Sequence, residues 1–154
     1  MIDSLDVKIL NALSRNGRMT WADLAAILQL SSPSTAERVK RLEEKGIISG
    51  YSAKLNYLAL GYTVTAFVGV SLEHPKYISG FIKNIQKLSE VEECHHVAGE
   101  EDYLLKVRCL TNQHLDEFLN TKLKLIEGIL RTRTTIALSS PKEFSHPKLV
   151  EKIK

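Results

Sequence analysis

The stretch Thr20–Ile48, TWADLAAILQLSSPSTAERVKRLEEKGII, decides how the N-terminal part of this 154-residue chain folds. Apolar residues recur at helical spacing on both sides of the polar turn LeuSerSerProSer, which predicts two amphipathic helices joined by a tight turn. At this turn we expect Ser32 to cap the second helix and Pro33 to be its first helical residue. Ser34 and Glu37 have the spacing of a capping box. Together these features predict a helix-turn-helix.

The second helix of this motif has the composition of a helix that reads DNA. Its inward positions are apolar, and hydroxyl and guanidinium groups are left on the exposed N-terminal half, as contact with the major groove requires. We expect base-edge contacts from Ser34, Thr35 and Arg38, and phosphate contacts from Ser32, Lys40 and Arg41. Two amphipathic helices joined by a capped turn also occur in proteins that never contact nucleic acid, so this alternative stays open.

The helix-turn-helix is expected to belong to a small DNA-binding domain over residues 1–48, because a further amphipathic helix precedes it from about Asp3 to Ser14. Gln29 ends the first motif helix where many such turns carry glycine, so a positive φ there would carry a modest backbone cost. The net charge of +3 is mild, and a single small basic patch binds DNA weakly at physiological salt. The protein is therefore expected to act as a dimer or larger assembly.

The rest of the chain predicts an α+β fold with a second domain of different pattern. Residues 49–61 predict an extended connector strand, and residues 62–140 predict the order β-α-β-β-α-β of a ferredoxin-like domain. Helices cover only one face of such a sheet. The uncovered face carries Phe67 and long apolar residues of neighbouring strands, and it would be a large apolar patch if it were exposed. We expect two copies to cover that face by pairing as a homodimer. The tail, residues 141–154, is expected to be loose.

Three stretches of this chain together resemble the Lrp/AsnC family of leucine-responsive regulators over roughly residues 3–140. They are LeuAspValLysIleLeuAsnAlaLeu at the start, LeuSerSerProSerThrAlaGluArgValLysArgLeuGluGluLysGlyIleIle in the middle, and ValAlaGlyGluGluAspTyrLeuLeuLysVal in the second domain. The resemblance implies a winged-type helix-turn-helix in a prokaryotic transcription regulator that dimerises through its C-terminal sheets and often assembles into octamers. It also implies an amino-acid effector at a loop that here consists of Gly99, Glu100, Glu101, Asp102 and Tyr103.

The chemistry of this loop suits a zwitterion, which needs an anion and a cation partner close together. Asp102 or a neighbouring glutamate can bind the ammonium group, and backbone N–H groups around Gly99 can bind the carboxylate. Thr132 or Thr134 adds a hydroxyl if the last strand passes nearby. The alternative is a solvated hairpin connection in which Gly99 supplies a positive φ. We thus predict a sequence-specific DNA-binding regulator that responds to an amino acid; an effector-independent chromosome-organising protein is the alternative.

Other classes of function find less support in the sequence. The run Cys94-His95-His96, with Cys109 and His114, lacks the paired spacing of structural zinc sites, so we predict no metal and no cofactor. No nucleophile–base pair or phosphate-binding glycine loop is recognisable, which argues against an enzyme. The start, MetIleAspSerLeuAsp, carries acidic residues before any apolar run, so no secretory signal is expected, and no stretch of the sequence could span a membrane. A cytoplasmic protein with free thiols is expected.

Overall fold

The computed structural model describes residues 2–143 and 146–150 of the chain. These residues divide into two compact units, one formed by 2–54 together with 142–143 and 146–150, and the other by 55–141. Within the described residues, no helix is both long enough and apolar enough to cross a bilayer.

The first unit is a bundle of three helices, α1 (Ser4–Arg15), α2 (Trp21–Leu28) and α3 (Ser32–Glu44). Asp3 caps α1 by accepting a hydrogen bond from the backbone of Asp6, whose carboxylate accepts from the Asp3 backbone in return, and this completes a capping box. The core of the bundle consists of apolar side chains from all three helices: Ile9, Leu13, Leu24, Leu28, Val39 and Leu42.

The cap of α3 differs from the sequence prediction. Ser31 is the N-cap and its hydroxyl accepts a hydrogen bond from the Ser34 backbone at 3.3 Å, so Ser32 is already helical. The Ser34–Glu37 capping box is absent, because the Ser34 hydroxyl accepts from Ser31 Oγ at 2.9 Å instead. The positive φ considered for Gln29 is present, with φ at 56° in the left-handed region.

The connector strand that the sequence predicts over residues 49–61 is not formed in the chain. No strand lies between α3 and Val64. Asn56 starts a turn instead, because its side-chain oxygen accepts a hydrogen bond from the Ala59 backbone at 3.0 Å and its carbonyl accepts from Leu60 at 3.2 Å. The described part of the first unit is therefore a helical bundle without strands.

The second unit is a four-stranded antiparallel sheet in the order β2-β3-β1-β4, which confirms the ferredoxin-like expectation. Its elements follow the predicted order: β1 (Val64–Leu72), α4 (Ile78–Ile85), β2 (Val91–His96), β3 (Tyr103–Cys109), α5 (Asn112–Phe118) and β4 (Ile129–Ile136). A short 3₁₀ turn, Pro75–Tyr77, precedes α4, and α5 continues as a wider π-type turn over Leu119–Leu123.

The two faces of this sheet differ because successive residues of a strand point to opposite sides. On β1, the buried Ala66, Val68 and Val70 face the core together with Phe81 of α4 and Phe118 of α5. The residues between them lie on the other side, here called the open face. Residues paired directly across two antiparallel strands share a face, so the register of β1 with its neighbours shows which residues these are.

The open face is more charged than the sequence suggests. Arg108 and Lys106 of β3 are mostly buried on it, and both form ion pairs with Glu92. The ring of Tyr57 covers Arg108, with 4.3 Å from the ring centroid to the guanidinium carbon. Charged residues therefore interrupt the apolar patch expected around Phe67: Phe67 is 39% exposed, and Lys106, which is opposite Phe67 in the register, is paired with Glu92.

Part of the C-terminal tail packs against the first unit, whereas the sequence predicts a loose segment. The Asn11 side chain on α1 donates a hydrogen bond to the Leu149 carbonyl at 3.0 Å and accepts one from the Leu149 amide at 2.9 Å. The side-chain amide of Asn11 thus forms with the backbone of Leu149 the two hydrogen bonds that a neighbouring strand would form. Residues 144–145 and 151–154 of the predicted loose tail lie outside the described residues.

Candidate nucleic-acid interface and effector site

The exposed face of α3 presents a row of polar and charged side chains. A shallow depression along the helix is lined by Ser34, Glu37, Arg38, Lys40, Arg41 and Glu44. Lys40 is 74% exposed and lies 3.7 Å from Glu44, whereas Arg41 is 46% exposed. Ser32 is also exposed. These side chains are available to a ligand that approaches α3 from outside.

Thr35 does not belong to this face, although the sequence analysis assigned it to a base contact. Its side chain is fully buried, and its hydroxyl donates a hydrogen bond to the Ser31 carbonyl at 3.0 Å. The reason is helical spacing: Thr35, Val39 and Leu42 form the i, i+4, i+7 stripe that faces the bundle core. The hydrogen bond to Ser31 satisfies the hydroxyl, so this polar residue can be buried.

Arg38, which the sequence analysis placed outward, is held by the acidic N-terminus of α1. Its Nη1 donates to Asp3 Oδ2 at 2.7 Å and to Asp6 Oδ1 at 2.8 Å, and its side chain is 25% exposed. Asp6 is almost completely buried and also accepts from Arg41 Nη2 at 3.3 Å. Two carboxylates of α1 therefore hold two guanidinium groups of α3.

The protonation equilibria of this cluster follow from its contacts. The backbone N–H of Asp6, and next the Arg38 guanidinium, lower the pKa of the Asp3 carboxyl below its usual value of 3.8. In turn, the hydrogen bond to Asp3 raises the pKa of Arg38. Each group thus stabilises the charged form of the other.

The loop between β2 and β3 carries the predicted effector residues, and Asp102 fixes this loop to the end of β1. Its Oδ2 accepts a hydrogen bond from the Leu72 amide at 2.7 Å, and its own amide donates to the Val70 carbonyl at 3.0 Å. Its carbonyl accepts from the Val97 amide at 3.0 Å. Asp102 has a structural role here, and one of its carboxylate oxygens is already bound.

Glu101 brings a carboxylate onto the open face. Its side chain lies over Gly69 of β1, so closely that a Cβ at position 69 would be 2.6 Å from Glu101 Cγ. From there Glu101 Oε1 reaches Arg133 Nε of β4 at 2.8 Å, and Arg133 Nη1 donates to Glu100 Oε2 at 3.1 Å. Arg133 is directly opposite Gly69 in the register, so β1 and β4 place a cation beside the loop carboxylates.

Thr134 and Tyr103 do not lie with Glu101, although the sequence analysis grouped them with this loop. Thr134 is opposite Val68, and Tyr103 is opposite Val70, so both side chains are on the helix-covered face. The Tyr103 ring is buried in the core, 4.8 Å from the ring of Phe81 by centroids. The alternative interpretation, a hairpin connection in which Gly99 supplies a positive φ, is also not met, because Gly99 is not among the residues with positive φ.

Three residues beside the loop were missed by sequence reasoning: Gly69, Ser71 and Arg133. Ser71 is 8% exposed on the open face, and its hydroxyl has no hydrogen-bond partner in the described residues. Alternation along β1 could have grouped Gly69 with Ser71, but only the register across strands connects them to Arg133.

The Cys and His residues considered for a metal site make other contacts in the structure. His95 Nε2 lies 3.0 Å from Glu93, and His114 Nδ1 accepts from the Leu110 amide at 3.3 Å. Cys109 is buried, and this burial raises the pKa of its thiol to about 11. In the described part of the chain, no three His, Cys, Asp or Glu side chains form a group that could hold a metal ion.

Comparison with protein-family models assigns a family description to each half of the chain. Residues 65–147 match the Lrp/AsnC ligand binding domain, and residues 2–49 match a winged helix-turn-helix DNA-binding domain. The first match includes the sheet and the loop with Glu101, and the second includes α1, α2 and α3. The two matches together extend over both units described above.

Individual proteins of known sequence or structure resemble the whole chain. The leucine-responsive regulatory protein of Haemophilus influenzae is 39% identical over 144 residues, which are 92% of this chain and 87% of that protein. The structure of Escherichia coli AsnC is 32% identical with a TM-score of 0.90 and covers 97% of this chain and 99% of that one. The feast or famine regulatory protein of M. tuberculosis, complexed with L-methionine, has the same identity and TM-score and covers 97% and 100%.

Proposed function

Because the chain belongs to the Lrp/AsnC family of transcription regulators, we propose that it binds specific DNA sequences through α3 and responds to an amino acid bound beside Glu101. One observation carries the effector part of this proposal. Glu101 and Arg133 place opposite charges 2.8 Å apart on the open face, within the domain that the family description names as ligand binding.

A zwitterion matches this arrangement because it carries a positive charge that can pair with Glu101 and a negative charge that can pair with Arg133. The ammonium group would replace Arg133 as the partner of Glu101, and the carboxylate would replace Glu101 as the partner of Arg133. The unpartnered Ser71 hydroxyl supplies a further hydrogen bond on the same face. Gly99 and Glu100 lie in the turn where backbone N–H groups can add donors, and two of the structural neighbours are named as complexes with L-methionine.

For the DNA interface, we propose Ser32, Ser34, Lys40 and Arg41 as contacts, since these side chains are exposed on α3. Lys40 and Arg41 supply positive charge for phosphates, and Ser34 lies on the N-terminal half that enters a major groove. Arg38 is proposed as a base contact only at its exposed edge, because Asp3 and Asp6 hold its Nη1.

A second copy of the chain is the partner we propose for the open face. Phe67 and Leu104 are exposed there by 39% and 36%, and they are diagonal neighbours, since Leu104 is opposite Gly69, two residues along β1 from Phe67. Two sheets packed face to face would cover both and would present two α3 helices to a pseudo-palindromic site. Light scattering coupled to gel filtration tests this proposal at micromolar concentration; a monomer there contradicts it.

The alternative function, an effector-independent chromosome-organising protein, has one observation in its favour. Arg133 already binds Glu100 and Glu101, so the charges of the open face are satisfied without a ligand. An amino acid must therefore displace an existing ion pair. The pair of Arg133 with Glu100 is exposed and contributes about 0–1 kcal/mol, so a ligand has to replace mainly the contact of Arg133 with Glu101, whose side chain is 13% exposed.

The test measures fluorescence anisotropy of labelled DNA from upstream of the gene, with unrelated DNA as reference, in the presence of each of the twenty amino acids. We expect one or a few amino acids to change affinity or selectivity, and Glu101→Gln to abolish that response while DNA binding persists. Glu117→Gln, an exposed change on α5 on the other side of the sheet, is the matched control. Binding that no amino acid alters favours the chromosome-organising alternative.

A further inference from the structure

Glu37 is a charged residue on the N-terminal half of the α3 face, and sequence reasoning left it without a role in DNA binding. The sequence analysis assigned it to a capping box, but Ser31 caps the helix and leaves Glu37 unused. Glu37 is exposed, and its carboxylate forms no hydrogen bond or ion pair with any residue that the structure describes. It lines the same depression as Ser34, Lys40 and Arg41.

The position of Glu37 is central on this face. It is three residues after Ser34 and four before Arg41, so helical geometry makes both of them its neighbours. Arg38, the next residue, turns away to Asp3 and Asp6. The group that remains between Ser34 and Arg41 is therefore an unpaired carboxylate.

An unpaired carboxylate on a DNA-binding surface has an energetic cost, because the DNA backbone repels negative charge. The cost is offset only where the carboxylate accepts a hydrogen bond from a base. In the major groove cytosine N4 is such a donor, and it is the usual partner of Glu, whereas guanine presents acceptors at O6 and N7. A carboxylate thus favours some sequences and penalises others.

We propose that Glu37 is a specificity-determining residue of the DNA interface, and that its carboxylate accepts a hydrogen bond from cytosine N4 in the major groove of each half-site. The inference rests on the proposed use of α3 for DNA binding. It adds that the chain selects its sites partly by rejecting base pairs whose orientation places acceptors, such as guanine O6 and N7, against Glu37.

The experiment selects binding sites from duplexes with a randomised central segment, using the full-length wild type, Glu37→Ala and Glu37→Gln. We expect the wild type to require cytosine at one position of each half-site. Glu37→Ala should lose that preference, with discrimination falling about fivefold or more and affinity for unrelated DNA rising. Glu37→Gln should shift the preference toward adenine, the usual bidentate partner of Gln.

Glu44→Gln is the control, because it removes one negative charge from the same helix two turns further on. It should raise affinity for all DNA slightly without changing the selected bases. Unchanged base preferences in both Glu37 variants would overturn the proposal. The double variant Lys40→Ala/Arg41→Ala tests separately whether α3 binds DNA at all. If its affinity for every duplex equals that of the wild type, α3 is not the DNA-binding surface, and both the proposed DNA interface and the role of Glu37 are contradicted.

Discussion

Asp6 on α1 and Arg38 on α3 form a mostly buried ion pair, with 2.8 Å between Oδ1 and Nη1, and Asp6 is 1% exposed. The pair joins the first helix of the chain to the helix that carries the proposed DNA contacts. An aspartate in the first turn of α1 thereby fixes the position of a side chain 32 residues later. Removing the carboxylate charge would leave Arg38 and Arg41 with weaker partners.

Asp6→Asn should therefore lower the free energy of unfolding of the first unit by about 1–3 kcal/mol, because a charged hydrogen-bond acceptor is lost in a buried site. Chemical denaturation followed by circular dichroism measures this change. Glu44→Gln removes an exposed ion pair and should change stability by less than about 1 kcal/mol. Equal effects of the two substitutions would show that the Asp6 pair has no special role.

The acid stability of the first unit should depend on Asp3. Its pKa is lower in the folded chain than its usual 3.8, so folding favours the ionised carboxylate. This contribution is fully present above about pH 5 and is lost as the pH falls through the folded pKa. The difference in melting temperature between wild type and Asp3→Asn should thus be constant near neutral pH and shrink below about pH 4. A difference that stays constant into acid would contradict the assignment.

Gly69→Ala should disturb the proposed effector site, because Glu101 packs over this glycine. The added Cβ would lie 2.6 Å from Glu101 Cγ, so Glu101 must move away from Arg133. We expect a loss of about 1–3 kcal/mol in unfolding free energy and a weakened amino-acid response, measured by denaturation and by calorimetric titration. Gly80→Ala on α4 is the control, because a Cβ there meets no atom within 4 Å of the described structure, and it should be neutral or slightly stabilising.

Gln29→Gly should stabilise the first unit. Gln29 ends α2 with a φ of 56°, a conformation that glycine adopts without the steric cost of a Cβ. The left-handed conformation costs a residue with a Cβ about 1–2 kcal/mol, and the larger backbone entropy that glycine loses on folding offsets about 0.5–1 kcal/mol of this, so we expect a net gain of up to about 1 kcal/mol in unfolding free energy. Gly46→Ala, at a φ of 67°, should change stability in the opposite direction. A Gln29→Gly variant less stable than the wild type would mean that contacts of the glutamine side chain outweigh the backbone strain.

The order of helices and strands was predictable from the sequence, because hydrophobic residues recur about every 3.6 residues in a helix and every two residues in a strand. The buried side of α3 could be predicted only in part, because it includes Thr35, a polar residue whose hydroxyl donates a hydrogen bond to Ser31. Hydropathy alone assigns such a residue to the surface. Its local hydrogen bond becomes visible only when the backbone is known.

The residues of the proposed effector site were less predictable, for a different reason. On β4 both faces carry Thr or Arg, so hydrophobic alternation does not show which residues face the loop. The register with β1 places Arg133 opposite Gly69 and turns Thr134 to the helix-covered side. A shift of one residue would exchange them, which is why the sequence analysis named Thr134.

The contact between Asn11 and Leu149 has a consequence for dissecting this protein. Both ends of the described chain belong to the unit of α1, α2 and α3, so the sheet unit is an insertion in the topological sense. A fragment that stops at Lys54 leaves the Asn11 amide without either of its partners. Experiments that compare isolated halves should therefore supply the last residues as a separate peptide or join them by a short linker.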